Sequence, residues 1–253
     1  MNTQTPNSDS YSSIQTLWID VDQTLLDFDA CAKIALEQTF EQYGLPWSEE
    51  VFQAFLRINA LLWDQIEEGT LTRMELRKIR FPKIFEALKR ELPDPVGFEA
   101  HFSSILHQQA VPMPGALEAI PALKQAGYRL AIISNGPEEG QKNRLNNAGL
   151  LEYFDAVYTS QKLGAAKPSL TFFDRAFQDY RSSFCPNLKQ EEILVIGDSW
   201  KADIQGAIDF GCRGLWLSAN RQLDPFETEN HPNVREVGSW NEILELLIQQ
   251  RDS

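Results

Sequence analysis

Three short apolar runs in this chain end in residues that a protein interior would reject. The run at 17–19, Leu17-Trp18-Ile19, leads into Asp20-Val21-Asp22-Gln23-Thr24. The run at 129–133 leads into Ser134-Asn135-Gly136, and the run at 193–196 leads into Gly197-Asp198-Ser199. Burying one unpaired carboxylate costs several kcal/mol, so the Asp20/Asp22 pair needs a cation or a proton as compensation. Open α/β sheets place their ligand sites just outside the carboxyl ends of their strands, where all three polar segments would fall.

Strand-like runs alternate with helical ones over most of the chain, which argues for an α/β protein with a parallel sheet. Further strands are expected at 214–217 and, more weakly, at 156–158. Phe172, Phe173, Ala176, Phe177 and Tyr180 recur at helical spacing and predict a core-facing helix over 168–180. Pro114-Gly115 opens a helix that Gly127 closes, with Pro121 expected to kink or restart it. The last helix carries a capping box, Ser239-x-x-Glu242, ahead of Ile243, Leu244, Leu247 and Ile248 on one face.

Residues 28–110 break the alternation and hold no good strand. Helical signals fill them instead: 30–43 before Gly44, 48–68 before Gly69, the capping box Thr72-x-x-Glu75, and Asp94-Pro95 as an N-cap with proline at the first helical position. An all-helical insertion is therefore expected between the first strand and the rest of the sheet. It leaves the chain directly behind the Asp20/Asp22 loop and would hang over that site. The expected division is a flexible tail at 1–13, a core formed by 14–27 and 111–253, and a helical cap at 28–110.

With 253 residues and 43% hydrophobic content, the chain is long enough for a sizeable core. Its 36 acidic and 23 basic residues give a net charge of −13, with no Lys/Arg-rich run. Polymeric nucleic acid and anionic membranes are therefore poor partners. Three scattered cysteines, Cys31, Cys185 and Cys212, without a pairing pattern fit a reducing cytoplasm. The polar N-terminus does not read as a secretory signal, and no apolar run is long enough for a transmembrane helix. Nothing in the sequence assigns an oligomeric state.

An acidic protein that handles an anionic substrate needs a local positive spot or a metal. Asp20, Asp198 and a backbone carbonyl near Asp22 offer hard oxygen ligands of the kind Mg²⁺ prefers. His101, His107 and His231 are not clustered with each other or with cysteine, which argues against zinc. Ser134, Asn135, nearby backbone N–H groups and the Lys167 ammonium of Ala165-Ala166-Lys167-Pro168 are suited to phosphate oxygens. Two carboxylates near one cation would divide the labour. Asp20 would attack phosphorus and form an aspartyl-phosphate, and Asp22 would serve as acid and then base. Asp203 follows Asp198 by five residues, in the first turn of the next helix.

These segments resemble the four motifs of the haloacid dehalogenase-like (HAD) hydrolase superfamily, in the same order. Asp20-Val21-Asp22-Gln23-Thr24 is similar to the first, Ser134-Asn135 to the second, Lys167-Pro168 to the third, and Gly197-Asp198-Ser199-x-x-x-Asp203 to the fourth. The resemblance implies a Rossmann-like core with an inserted mobile helical cap and Mg²⁺-dependent phosphatase action through a phosphoaspartate. It also implies Asp20 and Asp198 as side-chain metal ligands, Asp22 as a carbonyl ligand, and Asp203 as a carboxylate that holds the site together. One departure is Gln23, where many members carry glycine. Asn59-x-x-Leu62-Trp63, Gly69, Thr72, Leu76 and Arg80-Phe81 are similar to the cap of bacterial 5′-nucleotidases that act on pyrimidine and deoxyribonucleoside monophosphates. Trp63, Phe81, Asn59 and Arg80 are the candidates to meet a base or sugar.

The expected activity is accordingly hydrolysis of a small phosphorylated molecule, with pyrimidine and deoxyribonucleoside 5′-monophosphates as the leading substrates. A phosphatase of another metabolite, such as a sugar phosphate or phosphoglycolate, and a phosphosugar mutase would use the same core groups. A 2-haloacid dehalogenase would not need Asp22 together with Asp198, and a catalytically silent binding protein should have lost one of Asp20, Asp22, Lys167 or Asp198. Gly197-Asp198-Ser199-Trp200-Lys201 lacks the second glycine of a nucleophile elbow, and Gly136-x-x-x-Gly140 lacks the G-K-S/T ending of a phosphate loop.

Overall fold

The computed structural model describes residues 11–218 and 231–248. The chain forms two compact units, one from Met1–Asp27 with Pro112–Ser253 and the other from Phe28–Val111.

The first unit is built on a six-stranded sheet: β1 (Thr16–Ile19), β2 (Arg129–Ser134), β3 (Ala156–Thr159), β4 (Ile193–Gly197), β5 (Arg213–Leu217) and β6 (Val234–Val237). All neighbours pair in parallel, in the order β3-β2-β1-β4-β5-β6. The sheet is the parallel α/β core that the alternating pattern predicts. The sequence pattern does not predict β6, because Arg235 and Glu236 separate its two buried valines and leave no period of two. Side chains alternate across a strand, and β1 shows the result. Leu17 and Ile19 join a core cluster with Ile120, Leu123, Trp240 and Leu247, while Trp18 faces Phe172, Phe173, Phe177 and Tyr180 on the other side. Tyr11, expected in the loose tail, is buried in the first of these clusters instead.

The second unit is all helical: α1 (Phe28–Gln42), α2 (Glu49–Glu67), α3 (Arg73–Ala87) and α4 (Pro95–Leu106). Both N-terminal signals act as read from the sequence. Thr72 and Glu75 form a reciprocal capping box on α3, and Asp94 accepts from the Gly97 N–H at 3.0 Å ahead of Pro95. The unit's core is aromatic, with Phe40, Phe55, Phe81, Phe85, Phe98 and Phe102 in ring contact.

The remaining helices are α5 (Ala116–Gln125), α6 (Glu138–Asn147), α7 (Ser160–Leu163), α8 (Leu170–Ser183), α9 (Gly206–Phe210) and α10 (Trp240–Ile248). α5 runs through Pro121 as one helix, so the expected restart does not occur. At α10 the capping box is rearranged. Ser239 Oγ accepts from the Glu242 N–H at 3.2 Å, but the Glu242 carboxylate accepts from the Gly238 N–H at 2.9 Å. Among the described residues, no helix is long and apolar enough to cross a membrane.

Candidate active site

The register decides where the strand ends lie. Ile19 pairs with Ile132 on one side and Ile196 on the other, so β1, β2 and β4 end at the same edge of the sheet, β2 running on to Ser134 and β4 to Gly197. β1 lies at the centre of the sheet, where the chain has run out to β3 and returned to β4, a position at which α/β sheets open a crevice. Asp20 leaves β1 here. Its N–H donates to the Ile196 carbonyl at 2.9 Å, which carries the ladder one residue further and holds the carboxylate at the sheet edge.

Asp20 is only 7% exposed. Its Oδ1 accepts from Lys167 Nζ at 2.6 Å. The same ammonium donates to Asp203 Oδ1 at 2.5 Å and to the Ile133 carbonyl at 3.1 Å. An ammonium has three donors, and all three are used within the protein. Lys167 is held in turn by Asn135. The Asn135 Oδ1 accepts from the Lys167 N–H at 2.8 Å and its Nδ2 donates to the Lys167 carbonyl at 3.0 Å. Of the polar groups expected to hold phosphate oxygens, the Asn135 side chain is bonded to the Lys167 backbone, and the Lys167 ammonium lies between Asp20 and Asp203.

Asp203 lies in the first turn of the next helix, as expected from sequence, and that helix, Trp200–Gln205, is a π-helical turn. Such turns are rare and occur often at functional sites. The second Asp203 oxygen, Oδ2, accepts from the Ser199 N–H at 3.1 Å. The side chain folds so tightly over Gly197 that a Cβ there would lie 2.2 Å from Asp203 Oδ2, so only glycine fits. Asp198 is half-buried, and its carbonyl accepts from Trp216 Nε1 at 2.9 Å. One carboxylate oxygen each from Asp20, Asp198 and Asp203 lies within 4.8 Å of the others.

This cluster carries more negative charge than Lys167 cancels. Burial raises the Asp20 carboxyl well above its ordinary range; Lys167 opposes the shift, and Asp203, Asp198 and Asp22 add to it. Burial alone would depress the Lys167 ammonium, but Asp20 and Asp203 override it and hold the group above its usual value. Two of the three clustered carboxylates, Asp20 and Asp198, offer hard oxygens suited to a cation such as Mg²⁺; Asp203 has both oxygens committed to Lys167 and Ser199.

Asp22 stands apart from this cluster. Its carboxylate is turned onto α6, where Oδ2 accepts from Gln141 Nε2 at 2.7 Å and Oδ1 pairs with the Arg144 guanidinium. Gln141 Nε2 also donates to Ser134 Oγ at 3.0 Å, and the Gly136 N–H donates to the same oxygen at 2.9 Å. Gly136 permits this approach, since a Cβ there would lie 2.2 Å from Gln141 Nε2. Gln23 has φ +58°, a left-handed conformation that glycine adopts without strain, which accounts physically for the glycine that many family members carry at this position.

Three residues were invisible as site candidates in the sequence: Gln141, Arg144 and Trp216. The available signal was Gln141 and Arg144 three apart on one face of a helix otherwise lacking an apolar stripe. In the helical unit, Asn59 and Arg80, expected to meet a base or sugar, are buried instead. Arg80 NH2 donates to Glu99 Oε1 at 2.6 Å, and its NH1 donates to Asn59 Oδ1 at 3.1 Å. Phe81 is fully buried beside them, and Trp63 is half-buried.

Comparison with known proteins agrees with this geometry. The haloacid dehalogenase-like hydrolase family matches residues 14–211. The pyrimidine 5′-nucleotidase YjjG of Escherichia coli is 30% identical over 92% of this chain and 97% of its own. The pyrimidine 5′-nucleotidase PynA of Streptococcus pneumoniae is 30% identical over 91% of this chain and 94% of its own. The crystal structure of the HAD-hydrolase YfnB of Bacillus subtilis, bound to magnesium, superposes with a TM-score of 0.83 at 30% identity, covering 92% of this chain and 98% of that one. The strand-end edge with its buried Asp–Lys–Asp cluster, and the match across residues 14–211, identify this chain as a member of the haloacid dehalogenase-like hydrolase family.

Proposed function

We propose that this HAD-type phosphatase is a nucleoside 5′-monophosphatase preferring pyrimidine and deoxyribonucleotide substrates, with Mg²⁺ as its cofactor. The observation that carries the chemistry is Asp20, a buried carboxylate at the end of the central strand with one oxygen on Lys167 and a surplus of carboxylates around it. The support for the substrate class is the identity to YjjG and PynA over nearly the whole chain.

The donor set fits a hard divalent cation held by the Asp20 and Asp198 side chains with a carbonyl near Asp22. When bound, such an ion screens the carboxylates and the phosphoryl oxygens from one another. Asp20 attacks phosphorus through a carboxylate oxygen. The phosphorus–oxygen bond of the ester breaks with its electron pair on the leaving oxygen, and Asp22 delivers a proton there. Asp22 then takes a proton from water as that water attacks the aspartyl-phosphate, which releases phosphate and restores Asp20. Lys167 keeps Asp20 aimed and partly neutralised, and Asp203 keeps Lys167 in place. Ser134 is assigned to the phosphoryl oxygens. Asn135, through the Lys167 backbone, is a positioning residue. The core groups recognise only a phosphate, so the choice of substrate is assigned to the helical unit Phe28–Val111.

A panel of phosphorylated metabolites assayed with Mg²⁺ and with chelator tests the reading. The expected result is Mg²⁺-dependent phosphate release with higher kcat/KM for pyrimidine deoxyribonucleoside 5′-monophosphates than for hexose phosphates. Faster turnover of hexose phosphates or phosphoglycolate would overturn the nucleotide assignment, and full activity in chelator would overturn the metal.

A further inference from the structure

We propose that Gln141 and Arg144 are positioning residues for Asp22, aligning its carboxyl group for proton transfer to the leaving oxygen. This rests on the phosphatase reading above and adds two residues outside the four motifs.

The geometry is a grip on both oxygens of one carboxylate. Gln141 Nε2 holds Oδ2 at 2.7 Å, and the Arg144 guanidinium holds Oδ1. Gln141 and Arg144 are also bonded to each other, Arg144 NH1 donating to Gln141 Oε1 at 3.2 Å. Gln141 and Arg144 are 1% and 3% exposed as residues, whereas the Asp22 side chain is 33% exposed. A buried guanidinium is costly to desolvate and needs a compensating anion, and here that anion is the exposed end of the network. The carboxylate is thus tethered from below while its solvent-facing side stays open to a reacting group. A freely rotating aspartate would spend part of its time pointing elsewhere, and fixing it converts that rotamer freedom into orientation. Gln141 also bonds Ser134 Oγ at 3.0 Å, so the residue that orients Asp22 is tied to one at the end of β2. Residues 134 and 141–144 lie on one strand–helix connection, so β2 and α6 set the spacing from Ser134 to Asp22 as a unit.

Proton delivery matters most when the leaving group is a poor one. Departure of an alkoxide needs the proton, whereas a nitro-substituted phenolate leaves unaided. The test is therefore a leaving-group series run on purified Gln141→Met, Arg144→Met and Arg144→Lys, with Asp22→Asn as the reference for complete loss of the acid. The expected result is a fall in kcat/KM, which covers only the steps up to departure of the leaving group, of about 10²-fold on nucleoside monophosphates with little change in kcat/KM on 2,4-dinitrophenyl phosphate; kcat, which includes water attack on the aspartyl-phosphate, should fall on both. Arg144→Lys should recover part of the loss, since an ammonium supplies the charge but not the planar grip. Equal losses in kcat/KM across the series would mean a purely structural role and overturn the proposal, as would full activity of both methionine variants on nucleotides. If Arg144→Met does not fold, Gln141→Met, which is close in volume and uncharged, decides alone. A wild-type enzyme that releases phosphate from neither substrate class would refute the phosphatase reading itself, a result distinct from a flat leaving-group series.

Discussion

At the scale of single residues, the site is organised by saturation. Lys167 spends three donors on three acceptors, Asp203 spends both oxygens, and Asn135 spends both ends of its amide. Groups so fully engaged hold their geometry without help from substrate, the condition for electrostatic preorganisation. Asp20 is the exception, since its environment raises its pKa and leaves it short of positive charge. Replacing it should therefore remove chemistry without harming the fold. Asp20→Asn is expected to abolish phosphate release, because an amide does not attack phosphorus, while the thermal midpoint stays close to that of the unmodified protein. A folded Asp20→Asn enzyme with retained turnover would sink the mechanism.

At the scale of elements, the helical unit shows how polar residues can mislead a reading for substrate contacts. Arg80 and Glu99 form an ion pair across α3 and α4 with side chains 6% and 5% exposed, and Asn59 of α2 and Ser103 of α4 complete its hydrogen bonding. Arg80 also lies over the rings of Phe55, Phe81 and Phe102 at 5.7, 5.4 and 4.8 Å. The pair therefore staples three helices together from inside an aromatic core. Removing one charge leaves the other buried and uncompensated, which costs about 3–5 kcal/mol. Glu99→Gln is expected to lower unfolding stability by about 3 kcal/mol in urea titrations. The ratio of kcat/KM between nucleotide and hexose phosphates should not change. A changed ratio with unchanged stability would return Arg80 and its neighbours to the substrate.

At the scale of the whole molecule, a net charge of −13 and a carboxylate cluster with one lysine point the same way. The folded protein should gain stability from a cation that the unfolded chain does not bind. Mg²⁺ at about 100 times its Kd should stabilise it by about 2.7 kcal/mol. That gain is measurable as a rise in melting temperature without any substrate. Asp198→Asn should cancel the rise. A melting temperature indifferent to Mg²⁺ would argue that the cluster holds no ion.

The sequence by itself determined the alternation of strands and helices, the parallel sheet and family membership. Each of these rests on short-range patterns: apolar runs, capping residues such as Thr72 and Glu75, and motifs that lie within a few residues of one another. It also ordered the polar segments that follow β1, β2 and β4. Only the tertiary structure decided what those polar groups touch. Lys167 meets Asp20 across 147 positions, and Gln141 meets Asp22 across 119. Such contacts depend on strand register and helix packing, which a local pattern does not encode. For the same reason Arg80 reads as a contact for a base or sugar until Glu99 is seen beside it, and β6 is not legible until β5 supplies the hydrogen bonds that make it a strand. A side chain's chemistry is written in its own identity, but its role depends on partners that only the folded chain brings within reach.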